Sequence, residues 1–193
     1  MCWGAVTMGD EPMKTTPQIF EIRPRNILLL FTLLATISYP LQSRPAGAQT
    51  KAAFEKLQSL AGDWEGKDDM NMPAKTNFKV IVSGTTVMET LSPTGMGGED
   101  MVTLYTVDGD SIRIVHYCPT NNQPRMRAIP GAGEIKELTF EFQGAGNLPD
   151  ESVGHQHKLV LKFDDADHVT ETWTWRAKGK DTPMVFHFTR KKS

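Results

Sequence analysis

Apolar and polar residues alternate along most of this chain beyond residue 76, and alternation is the signature of a half-buried strand. Phe78, Val80 and Val82 alternate with Asn77 and Lys79. Leu138, Phe140 and Phe142 alternate with Glu137, Thr139 and Glu141, and Leu159, Leu161 and Phe163 with Lys158, Val160 and Lys162. Met101–Val107 and Ser111–Cys118 flank Asp108-Gly109-Asp110, the strongest hairpin signal in the sequence. Further strands are expected at Val87–Leu91, Arg125–Ile129, Val169–Arg176 and Met184–Arg190. The pattern is helical in one place. Phe54, Leu57, Leu60 and Ala61 recur at helical spacing, which predicts a helix over about Lys51–Leu60, capped by Thr50 and ended by Gly62.

About ten strands with hairpin-length links and one short N-terminal helix predict an all-β fold, an up-and-down antiparallel β-barrel. Closure also removes exposed strand edges.

The first 48 residues read as a signal peptide. Arg23 and Arg25 precede the apolar run Ile27–Tyr39, which at 13 residues is shorter than the roughly 20 a membrane-spanning helix needs. Ala46-Gly47-Ala48 places small residues for cleavage after Ala48. The expected mature chain, Gln49–Ser193, is one barrel domain, secreted or periplasmic, with no membrane span left after signal removal. The polar stretch before Arg23 is long for a signal, so translation from Met1 or from Met13 both fit. The whole chain has a formal net charge of −2 and no basic block, which argues against a nucleic-acid partner. Cys2 falls in the signal, leaving Cys118 without an internal disulfide partner.

Two features carry a resemblance. Gly62-Asp-Trp-Glu-Gly66 is similar to the Gly-x-Trp signature on the first strand of lipocalins and to the Gly-x-Trp-x-Gly opening of nitrobindin-type haem barrels. Tyr105–Asp110, His116-Tyr-Cys-Pro-Thr-Asn-Asn-Gln-Pro-Arg-Met126 and His155–Trp173 resemble a family of uncharacterised bacterial exported, lipocalin-like domains, over Phe54–Arg190. That resemblance implies a calycin-type barrel with an aromatic folded under its floor. It implies no chemistry.

Strand parity sorts the polar side chains. His116 and Cys118 share a face with Ile112 and Ile114, His155 and His157 with Leu159, and Glu171 with Trp173 and Trp175. Arg125 and Arg127 share parity with Ile129. The expected interior is apolar with a polar end, and the candidate ligand contacts are Trp64, His116, Arg125, His157, Glu171 and Trp173. The expected partner is a small apolar or amphipathic molecule, its polar head held by the histidines or by Arg125. No cofactor is firmly implied. His155 and His157, about 7 Å apart on one strand face, could hold zinc with His116 as third ligand, and His116 or His157 could serve as an axial haem ligand. The sequence contains no serine nucleophile elbow and no glycine-rich phosphate loop opening a helix, so an enzyme is the lesser expectation. An interaction module acting through its outer surface is the remaining alternative.

Overall fold

A computed structural model describes residues 47–94 and 98–192. The expected signal segment, apart from its last two residues, lies outside them. A helix, α1 (Ala48–Gln58), precedes ten strands: β1 (Gly62–Asp68), β2 (Pro73–Ile81), β3 (Thr86–Pro93), β4 (Met101–Asp108), β5 (Ser111–Tyr117), β6 (Gln123–Ala128), β7 (Glu137–Gly146), β8 (His155–Phe163), β9 (His168–Ala177) and β10 (Lys180–Arg190). Each strand pairs antiparallel with its sequence neighbour, and β1 pairs with β10 to close the barrel. The expected all-β, up-and-down architecture is the one observed.

Alternation places the core. Leu138 and Phe140 on β7, Leu159, Leu161 and Phe163 on β8, and Phe186 and Phe188 on β10 are all buried. Each large apolar side chain moved out of water contributes about 1.5–3 kcal/mol. Tyr105 meets Phe140 edge-on, with ring centroids 5.7 Å apart, and Phe186 lies parallel to Phe188 at 5.8 Å. One expected alternation stops early. Val80 and Val82 are exposed, because β2 ends at Ile81 and Val82 enters a short 3-10 turn at φ 49°.

The helix closes one end. It starts at Ala48, before the expected Lys51, and Thr50 is a buried helical residue rather than the cap. Ala53, Phe54 and Leu57 face the core. Gln49 donates to the carbonyls of Gly131 and Gly133, and Gln58 to that of Gly84, which ties the helix to loops at that end. Beneath it sits Trp64, whose indole nitrogen donates to the carbonyl of Leu60 at 2.8 Å. The glycines around Trp64 have separate tasks. Gly62 turns the chain at φ 132°, while a Cβ on Gly66 would lie 1.8 Å from the backbone oxygen of His187, so only glycine lets β1 approach β10 there. Among the described residues, no helix is long and apolar enough to cross a membrane.

Candidate functional site

The closed end is packed with side chains, whereas the opposite end holds a cavity of about 360 Å³. Its walls include Leu91 of β3, Met101 of β4, Trp173 and Trp175 of β9, and Met184 and Phe186 of β10. Cys118, Pro119 and Thr120, just after β5, and Thr182 and Pro183 form part of the rim. Glu99 lies at the edge, exposed. A shaped apolar recess with few polar groups is the usual form of a small-molecule site.

Trp173 joins this cavity to the polar centre of the barrel. Its indole nitrogen donates to Oε2 of Glu171 at 2.9 Å, and its ring packs on the His116 imidazole with centroids 4.5 Å apart. Glu171 and Glu89 are wholly buried and hydrogen-bonded to each other. Glu89 also accepts from the Tyr105 hydroxyl at 2.6 Å and from Thr76 at 3.1 Å. Loss of water pushes both carboxyls up, and the neighbouring Glu89 charge pushes Glu171 further, well above the usual carboxylate range. The donors decide where the proton sits. Glu89 has two hydroxyl donors to support a charge, while Oε1 of Glu171 meets no other donor. These donors favour the charge on Glu89 and the proton on Glu171, the carboxyl pushed up further of the two. Burial likewise raises the Tyr105 phenol far above its ordinary value.

His116 is buried, with Nδ1 2.9 Å from the Thr103 hydroxyl and Nε2 without a partner. Burial lowers its pKa to about 4, so the ring is neutral at physiological pH. His116 takes the face that parity gave it, beside buried Ile112 and Ile114.

A bulge changes the picture on β8. The register with β9 slips between Gln156 and Lys158, so His157 is the extra residue. Gln156 then pairs with Trp175 and lines the cavity, while His155 pairs with Arg176. Simple alternation from Leu159 would have placed His155 and His157 there instead. Both histidines pack on Phe142, His155 tilted and His157 stacked, at 4.7 and 4.8 Å between ring centroids. Nδ1 of His155 faces the Val153 carbonyl at 2.7 Å, and that oxygen can only accept, so Nδ1 carries the proton. Its Nε2 is hydrogen-bonded to Nδ1 of His157 at 3.1 Å. His155 thus spends both ring nitrogens and His157 spends one. Burial, followed by the charge of Arg176, lowers the His157 pKa. Among the described residues, no group of three or more His, Cys, Asp or Glu side chains is arranged to hold a metal ion.

The remaining candidates separate. Trp64 lies at the closed end, away from the cavity. Arg125 is exposed and pairs with half-exposed Val115, while Pro124, Met126 and Ala128 on the same strand are buried. It shares parity with Ile129, but that residue lies past the end of β6 and is 64% exposed, so the shared parity does not point inward. Arg125 therefore does not join Glu171, whose partners are Trp173 and Glu89. Of the six expected contacts, Trp173 alone borders the cavity, and His116 and Glu171 lie behind it. Alternation could have found Glu89, which shares parity with Val87 and Leu91. Nothing in the sequence marks Gln156, because its inward position depends on the bulge.

Fold and cavity together define a closed ten-strand antiparallel barrel with one stoppered end and one hollow end. No protein-family model matches this chain, and no curated protein sequence matches it. Among solved structures, it is similar to Rv2717c from M. tuberculosis, with a TM-score of 0.51 and 15% identity, covering 72% of this chain and 98% of that one. A redesigned β-barrel also aligns, with a TM-score of 0.37 and 11% identity over 76% of this chain and 100% of the other. The likeness to Rv2717c is one of fold.

Proposed function

We propose that this barrel binds a small, largely apolar molecule in the cavity at its open end. The observation that carries the reading is the contrast between the two halves of the interior. The lower half is filled by Trp64, Phe78, Ile112, Leu138, Leu161 and Phe188, whereas the upper half leaves about 360 Å³ between apolar walls. Apolar space of this kind accepts an apolar guest at little cost in desolvation. At roughly 30 Å³ per non-hydrogen atom, it suits about a dozen such atoms. The polar end of the guest would meet Thr120, Gln156 or Thr182 near the rim.

The same reading places the barrel outside the cytoplasm, supported by the basic, apolar and small-residue pattern of the first 48 residues. N-terminal sequencing of protein recovered from an exporting host would begin at Gln49. For the binding itself, native mass spectrometry of gently purified protein should reveal a bound small molecule or uptake of one added alkyl chain per barrel. A barrel that takes up no alkyl probe would overturn the proposal.

A further inference from the structure

We infer that the cavity selects a neutral amphiphile whose head donates a hydrogen bond, an alcohol or an amide rather than a fatty-acid anion. This rests on the reading of the cavity as a ligand site.

The first support is Gln156. Its side chain is 6% exposed and lines the cavity, and its Oε1 is buried without a hydrogen-bond partner. A buried amide oxygen left unpaired is a costly arrangement that native proteins keep for a reason. Here the bulge at His157 is what turns Gln156 inward, opposite Trp175. A ligand O–H or N–H reaching this oxygen completes it. An ether or a carboxylate can accept from the Nε2 of the same amide but, having no donor of its own, leaves this oxygen unpaired, whereas an alcohol or an amide can serve both ends.

The second support is charge. Among the described lining residues there is no Lys, Arg or His, and the one charged group is Glu99. An anionic head would meet a carboxylate at the rim and no cation inside. A cationic head would be drawn to Glu99 but would lose its hydration on moving in to Gln156. A neutral donor avoids both penalties.

The test uses five probes with a ten-carbon chain: decane, 1-decanol, 1-methoxydecane, decanoate and decylammonium. Each is titrated into the full chain, with tryptophan emission as the readout, since Trp173 and Trp175 line the cavity. 1-Decanol should bind about tenfold more tightly than 1-methoxydecane, decanoate and decylammonium, the margin of one buried hydrogen bond. In Gln156→Leu and Gln156→Met, read side by side with circular dichroism as the check on folding, the preference for 1-decanol over 1-methoxydecane should disappear while decane still binds and the charged probes stay disfavoured. Equal binding of the headed probes, tighter binding of decanoate or decylammonium, or a preference over 1-methoxydecane that survives both substitutions would overturn the inference and leave the cavity reading standing. Failure of every probe, decane included, would overturn both.

Discussion

The indole nitrogen of Trp173 donates to Glu171 across 2.9 Å, so a single hydrogen bond joins the wall of the cavity to the buried acid pair. The cavity sits on a polar layer rather than on the apolar plug below it. That layer makes the barrel's stability depend on pH.

The acid pair gives one slope. Glu171 and Glu89 have raised pKa values, so the native barrel keeps a proton that an unfolded carboxyl loses above about pH 4.3. Stability from this source is full below that pH and is lost as pH rises through the native value, by about 1.4 kcal/mol per pH unit for each retained proton. Glu171→Gln removes one such proton, and its amide oxygen can still accept from Trp173. Urea melts should show the variant losing less stability than wild type between about pH 5 and 8. Parallel profiles would contradict the shared-proton pair.

His116 gives the opposite slope. Its native pKa of about 4 lies below the unfolded value of 6.5. The stability linked to it is present above that unfolded value and is lost as pH falls toward the native one. Complete protonation of the unfolded chain alone costs on the order of 3 kcal/mol. His116→Gln should flatten the acid side of the profile measured by urea melts. An unchanged acid limb would show that the imidazole is hydrated in solution.

Gly154 controls the cavity through Trp175. A Cβ at this glycine would lie 2.1 Å from Cζ2 of the Trp175 ring. Gly154→Ala therefore forces the indole to shift, and Trp175 is a wall of the cavity. Affinity for 1-decanol should fall roughly tenfold or more, with a loss of stability of about 1–3 kcal/mol. Fluorescence titration and urea melts read the two effects separately, and unaltered affinity would place the ligand away from Trp175.

At the other end, Arg190 stacks over Trp64, with the guanidinium carbon 4.2 Å from the ring centroid. It also donates to the carbonyls of Ser59, Ala61 and Ala166. These bonds hold the helix connection against the last strand and stopper the barrel. Arg190→Ala should cost about 2–3 kcal/mol, and Arg190→Lys should recover only part of it, because an ammonium lacks the planar fork. Affinity for 1-decanol should not change in either variant, since the substitution lies at the far end of the barrel.

Much of this fold was legible because alternation survives in most strands. The hairpin at Gly109 and the burial of His116 and Trp173 follow from local pattern, while the Trp64 stopper is what the resemblance of Gly62–Gly66 implies. The site was less legible, for reasons that can be located. A bulge at His157 turns Gln156 toward the cavity, and no local residue type announces it. Arg125 depended on Ile129 as a reference, and that isoleucine lies beyond its strand. Glu89 and Glu171 sit on separate strands, so their contact exists only once the barrel closes.

The most direct measurement of the central claim uses Cys118, a half-buried thiol in the cavity rim. Its alkylation rate, followed by peptide mass, should fall several-fold when 1-decanol is present at saturation, while alkylation of the denatured protein is unaffected. An unchanged rate at Cys118 with 1-decanol bound would place the ligand elsewhere and contradict the account.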